Sequence, residues 1–394
     1  MNGTAPGPRR KVLLVAPYFH PHVGGVESYT AQLAARLSGL GWTVVIVTTG
    51  TARDGPDRPD GMRVYRLRPS ATLSNTPVGI GWRKRLTEIV KAEQPDVINA
   101  HTPVPYLADI AERCSGSIPF VLTYHNDLAK DGVLAGSIAR LAHLTLIRRT
   151  LNGSRTIIAT SEYYALESPY LKPHRPKVEV VPPGVDLTRF NPEVRVGAGL
   201  AAAFAGTRVI LFVGSLNRAQ RHKGLDVLID AFALIRPESP DVRLVVVGDG
   251  DGSGLYQAQA QALGLGAAIT FTGRVSDDEL AQYYKCARVM AMPSVNRSEG
   301  FGMVYLEAGA VGTPVVGTRT GGVPYAILDG ETGLLAEPGD VGSLGLALRR
   351  LLDDDDLAGR LGRNGAARAR EEFGWPKLAE RTADVLWRAA ADHP

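Results

Sequence analysis

The chain has little cysteine, with only Cys114 and Cys286 among 394 residues, 172 positions apart. That excludes a disulfide-stapled scaffold and a cysteine-based zinc site, both of which need several ligands at short spacing. Two packing thiols in a reducing compartment are expected instead. Long apolar runs are also missing. The first, Val12 to Ala16, is too short for the core of a secretory signal and is followed by Pro17. No segment approaches the roughly 20 apolar residues of a membrane span. The expected location is the cytoplasm, at most peripheral to the inner face of a membrane. Nor does charge of one sign dominate. Against 40 acidic residues stand 44 Lys and Arg, a net +4. Such a balance suits an acidic small ligand and gives no reason to expect nucleic acid. No G-x-x-x-x-G-K-[ST] phosphate loop occurs. The glycines at 248, 250, 252 and 254 miss the G-x-G-x-x-G dinucleotide spacing because position 253 is Ser.

Glycine is abundant, with 44 residues, and 26 prolines accompany it. Short β-branched runs alternate with segments of helical period. Lys11–Ala16, Thr43–Thr49, Asp96–Ala100, Phe120–His125 and Thr156–Thr160 read as strands. Val26–Leu40, Trp82–Ala92, Tyr106–Arg113 and Ser137–Leu151 read as helices. The alternation restarts at Val209–Val213 and runs through Val242–Val247, Ile269–Thr272, Val289–Met292 and Pro314–Gly317. Such a pattern predicts an α/β protein of two Rossmann-like domains, each with a parallel sheet, facing each other across a cleft. The length supports two cores. The expected division is a disordered leader over 1–11, a first domain over 12–190, a linker over 191–206 and a second domain over 207–372. A C-terminal helix over 373–394 is expected to pack back on the first domain.

Several constellations stand at predicted strand ends, where α/β sheets bind ligands. Glu299 and Glu307 lie eight positions apart around a Gly300-Phe301-Gly302 turn that opens the helix Met303–Val311. A helix start offers unpaired N–H groups and a positive dipole end to an anion. Gly24-Gly25 follows the first strand in the same way. The loop Gly214 to Gly224 gathers Arg218, Arg221, His222 and Lys223, the positive charge that a diphosphate leaving group needs. His125 ends a strand of the first domain and could hydrogen-bond a sugar hydroxyl; His101 is a similar candidate. Each feature alone also has a plain structural reading as a tight turn, a solvated basic loop or a strand-end histidine. The run Asp353 to Asp356 reads as a helix cap rather than a metal site.

Together these residues resemble the retaining glycosyltransferases of GT-B fold, family 4 (group 1) type. The resemblance rests on the E-x7-E pair Glu299 and Glu307, the Gly-Gly-Val-Glu opening at 24–27, Pro182-Pro183-Gly184-Val185-Asp186, Lys223-Gly224 and Gly321-Gly322-Val323-Pro324. It implies transfer of a hexose from a UDP- or GDP-linked sugar to an acceptor hydroxyl, with no metal and no cofactor. Glu307 would then hold the ribose hydroxyls and Glu299 the donor sugar. Phe301, Gly302, Met303 and Val304 would supply contacts near sugar and phosphate, and Lys223 would neutralise the diphosphate. His125 would contact the transferring sugar, Gly24 and Gly25 would approach the phosphates, and Val275 would touch the base. The chain departs from the family pattern at Gly214-Ser215, where an arginine is expected at position 215. Arg218 is the favoured substitute and Arg221 the alternative, with Ser215 kept as a donor contact. The acceptor is left open: a small molecule, a polysaccharide or a lipid-linked glycan at a membrane surface. A sugar-nucleotide epimerase and a non-catalytic nucleotide-sugar-binding module are the competing readings.

Overall fold

A computed structural model of the chain describes residues 10–20, 24–50, 62–73, 76–102, 104–127, 141 and 143–391. Residues 1–9 of the expected leader lie outside the described residues, as do 137–140 and 142 of the expected helix Ser137–Leu151. The leader's last two expected residues, Arg10 and Lys11, are described and ordered against the fold. Lys11 already belongs to the first strand, and the Arg10 guanidinium stacks 3.7 Å from the centroid of the Trp387 ring. What is described of the Ser137–Leu151 segment is not one regular helix. His143–Ile147 forms a π-helical turn, followed by a short α-helix over Arg148–Gly153.

The chain divides into two compact units. One is the chain up to Pro183 together with the segment from Trp375 onward; the other is Gly184–Gly374. In the first, β1 (Lys11–Val15), β2 (Thr43–Thr49) and β3 (Arg63–Leu67) precede a small antiparallel hairpin of β4 (Ala71–Leu73) and β5 (Thr76–Val78). Then come β6 (Val97–Thr102), β7 (Phe120–Tyr124), β8 (Thr156–Ala159) and β9 (Val178–Val180). All but the hairpin form one parallel sheet of seven strands in the order β3-β2-β1-β6-β7-β8-β9. The strands are continuous apolar runs because both faces are covered. Val12, Leu13, Leu14 and Val15 are fully buried, and each such side chain contributes about 1.5–3 kcal/mol.

The second unit repeats the plan. Its strands β10 (Arg208–Val213), β11 (Val242–Val247), β12 (Ile269–Gly273), β13 (Val289–Ala291), β14 (Val315–Thr318) and β15 (Gly333–Ala336) are parallel, in the order β12-β11-β10-β13-β14-β15. In both sheets the order reverses direction beside the first strand of the unit, between β1 and β6 and between β10 and β13. That reversal opens a crevice at the carboxyl ends of the two strands.

The segment 184–206, part of which was expected to be a linker, belongs to the second unit. Its Gly/Ala-rich stretch forms a helix over Ala198–Ala203. The segment is tied down: Gly197 N–H donates to Gln282 Oε1 and the Lys285 ammonium to the Pro192 carbonyl. Val185 N–H donates to the Phe373 carbonyl at 2.8 Å, so the start and the end of the unit run side by side. The last helix, Trp375–Ala391, buries Trp375, Leu378, Ala379, Thr382, Ala383, Val385, Leu386 and Ala389. This spacing makes one apolar stripe, which packs on the helix Gly25–Gly39 of the first unit, with the Tyr29 and Trp375 ring centroids 5.3 Å apart. Among the described residues no helix is long and apolar enough to cross a membrane.

Candidate active site

Lys223 and Glu299 are 76 positions apart, yet Lys223 Nζ lies 2.9 Å from Glu299 Oε2. The sheet order explains the meeting. The loop after β10 carries Lys223, the loop after β13 carries Glu299, and β10 and β13 are neighbours. The two loops are zipped together, since Val295 N–H donates to the His222 carbonyl. Gly224 makes this approach possible. Its φ is +72°, and a Cβ there would sit 2.1 Å from the Pro293 carbonyl oxygen. Lys223 also stands 3.7 Å from the Met292 sulfur, and its stem runs beside Gly214.

Glu299 is buried, 8 % exposed. Burial pushes its carboxyl upward, but the Lys223 ammonium, then His222, and a hydrogen bond from the Phe301 backbone outweigh this and hold it below the usual carboxylate range. His222 Nε2 is 4.0 Å from the same oxygen. Glu299 is therefore ionised at neutral pH, and the site carries a paired cation ready to be shared with an anion. Its backbone is held from behind: Gly322 N–H donates to the Glu299 carbonyl, and a Cβ on Gly322 would lie only 1.9 Å from the Gly300 carbonyl oxygen.

Past Glu299, Phe301 is buried against Tyr325 and Phe373, Gly302 caps the helix Met303–Val311 at its N-terminus, and Met303 and Val304 form the first turn. One turn on, Glu307 is half-buried and accepts a hydrogen bond from the Tyr284 hydroxyl at 2.8 Å. Burial pushes the Glu307 carboxyl up to about 7, against the pull of Tyr284.

The remaining candidates sit as follows. Ser215 Oγ accepts from Asn217 N–H. Arg221 is paired with Asp226, whereas the exposed Arg218 guanidinium has no partner among the described residues, its backbone N–H alone being held by Asp251. Val275 follows β12, just before the helix Asp277–Cys286. In the first unit, Gly24 is extended and caps the helix that Gly25 opens. There His125 Nε2 lies 3.0 Å from His101 Nδ1, with the rings stacked and both packed on Tyr29. Burial lowers the His125 pKa to about 3; burial and the neighbouring His125 lower that of His101. Asp354 caps the helix Asp355–Glu372, as its run predicted. Two site residues escaped the sequence reading. His222 was seen only as part of a basic loop. Tyr284 carries no signal at all, since a tyrosine on a helix reads as packing.

Two family models match the chain: Glycosyltransferase Family 4 over residues 23–189 and Glycosyl transferases group 1 over residues 202–368. A GDP-mannose-dependent alpha-(1-6)-phosphatidylinositol monomannoside mannosyltransferase of Mycobacterium tuberculosis is 30% identical over 389 residues, covering 95% of this chain and 98% of the relative. The chain belongs to the group 1, family 4 glycosyltransferases. The D-inositol 3-phosphate glycosyltransferase of Pseudarthrobacter chlorophenolicus is 32% identical over 391 residues, 94% of this chain and 91% of the relative. Among solved structures, sucrose-phosphate synthase from Thermosynechococcus elongatus matches with a TM-score of 0.78 at 25% identity, covering 97% of this chain and 100% of that one. This glycosyltransferase therefore has the GT-B type of two α/β units with parallel sheets, and it is an enzyme that uses a nucleotide-sugar.

Proposed function

We propose that this glycosyltransferase moves a hexose from a GDP- or UDP-linked donor to an acceptor hydroxyl with retention of anomeric configuration and without a metal ion. The observation that carries the reading is the Lys223–Glu299 pair beside the start of the helix Met303–Val311. The donor's diphosphate takes the Lys223 ammonium and the first-turn N–H groups near Met303 and Val304. These stabilise the negative charge that grows on the leaving oxygen as the sugar–oxygen bond breaks. Arg218 adds a second cation in place of the family arginine. Glu299, released in part from Lys223, accepts hydrogen bonds from the sugar's hydroxyls. Glu307 takes the hydroxyls of the nucleoside and Val275 borders the base. In the first unit, His125 stays neutral, a hydrogen-bonding rather than a charged group. No carboxylate is assigned as a nucleophile, which favours front-face displacement over a covalent intermediate.

The named relatives act on inositol-bearing acceptors. They make free and lipid-borne inositol phosphates the first acceptors to test. The test has two stages. A thermal-shift screen of UDP, GDP and ADP and their hexoses identifies the donor, since a ligand at 100 times its Kd stabilises by about 2.7 kcal/mol. Transfer is then followed by NMR with and without EDTA. An α-linked product from an α-linked donor, formed equally in EDTA, supports the reading. An inverted product, or activity lost to EDTA, refutes retention or metal independence. A new sugar nucleotide formed from donor alone points to an epimerase, and binding without turnover to a non-catalytic module.

A further inference from the structure

Tyr284 is fully buried on the helix Asp277–Cys286, with its ring edge-on to Phe190 at 5.9 Å between centroids. Its own carbonyl accepts from Thr313 Oγ1 at 2.6 Å, so helix and ring are both held. From this fixed base the hydroxyl reaches Glu307 Oε2 at 2.8 Å. Among the described residues, the other carboxylate oxygen of Glu307 has no hydrogen-bond partner. A buried phenol thus grips one oxygen of a half-buried carboxylate and leaves the second open.

We infer that Tyr284 is a positioning residue: its hydroxyl holds Glu307 by one oxygen, in one orientation, and as a donor it favours the acceptor-only carboxylate that can receive a vicinal diol of the nucleoside. The inference rests on the reading of Glu307 as a nucleoside contact. Its chemistry is that of acceptor count. An ionised carboxylate only accepts, whereas a protonated one gives up an acceptor site to its own O–H and cannot take two diol hydroxyls equally well. Burial drives Glu307 toward protonation near neutral pH, and the groups that bear on it are few. Asp277 pushes the same way as burial; Tyr284 and Arg189 oppose it. Arg189 is already engaged by Asp277 and Asp278. The Tyr284 hydroxyl is thus the only direct hydrogen-bond donor to Glu307 among the described residues.

The experiment uses the full chain and titrates UDP and GDP calorimetrically from pH 6.5 to 9. Glu307→Gln, which has no carboxyl at this position, supplies the baseline for titration of the nucleotide itself. Relative to that baseline, wild-type affinity should rise as pH passes through about 7. Tyr284→Phe keeps the ring and removes one oxygen. It should lose about tenfold in affinity at pH 7, the worth of a hydrogen bond to a charged group, and its rise should shift to higher pH, recovering most of the loss by pH 9. Its kcat at saturating donor should stay within about twofold. The double variant Tyr284→Phe/Glu307→Gln should bind no more weakly than Glu307→Gln alone. If Glu307→Gln loses affinity while Tyr284→Phe keeps wild-type affinity and profile, the inference falls and the reading of Glu307 stands. If Glu307→Gln itself binds like wild type, the reading falls and takes the inference with it. A Tyr284→Phe loss that is equal at every pH, or that persists in the double variant, marks a packing role and also overturns the inference.

Discussion

The Lys223 ammonium touches the Glu299 carboxylate because two loops from neighbouring strands open into one crevice. Each residue is therefore the other's resting partner, and under the proposed function a donor contact as well. Lys223→Met leaves a buried carboxylate without its cation and should cost about 3 kcal/mol of stability. Lys223→Met/Glu299→Gln, which removes both charges, should cost less than the single change. Urea unfolding of both variants checks the order. A single variant as stable as the double would mean that the pair is solvent-screened. Turnover should fall by about 10²–10³ in Lys223→Met, and likewise in Glu299→Gln alone, if leaving-group charge is stabilised here.

Arg218 and Arg221 share a loop but not a situation. Arg221 is spoken for by Asp226, while the Arg218 guanidinium faces no carboxylate among the described residues. Only a cation without a partner gains fully from a diphosphate. Arg218→Ala should lower kcat/KM by about tenfold or more, the scale of one charge-assisted hydrogen bond. Arg221→Ala should stay within about twofold. Steady-state kinetics with the reverse ranking would assign the second cation to Arg221.

Gly322 is a packing surface for the loop that carries Glu299. A methyl group at this position would overlap the Gly300 carbonyl oxygen at 1.9 Å. The loop must then retreat, and with it the carboxylate that meets Lys223. Gly322→Ala should therefore cost far more in kcat/KM than in melting temperature, by about 10²-fold in rate for a displacement near 1 Å. An active Gly322→Ala enzyme would show that the loop tolerates the shift.

How much of this was legible beforehand differs from residue to residue. Alternating apolar runs and glycine turns announced two parallel sheets, and the reversal of strand order then forces the loop bearing Lys223 toward the loop bearing Glu299. The Gly/Ala-rich stretch near 198–203 misled, because the residues leading into its helix, Pro192 and Gly197, are secured by Lys285 and Gln282, far away in sequence. The hairpin Ala71–Leu73 with Thr76–Val78 is too short to show a period of two. Tyr284 was invisible for a different reason: its function lies in one hydroxyl on an otherwise apolar ring, and only the crossing of two helices reveals what that hydroxyl meets.

The His101–His125 pair makes the first unit sensitive to acid. Both rings are held neutral, by burial first and, for His101, by the neighbouring ring as well. The sign follows directly. Folded-state values lie below the unfolded value of about 6.5, so the unfolded chain takes up protons that the native chain refuses as pH falls. Stability is complete above about pH 6.5 and drains away toward pH 3, with a slope of up to about 1.4 kcal/mol per pH unit for each histidine. His125→Asn removes one such site and leaves His101 a hydrogen-bonding neighbour. Between pH 6 and pH 4 its unfolding free energy should fall less steeply than that of the wild type by about one proton. Carboxylates titrate alike in both proteins and cancel in the difference. Denaturant titrations at pH 7, 6, 5 and 4 measure the two slopes, and parallel slopes would mean that His125 gains its proton in the native state and is not held neutral as argued.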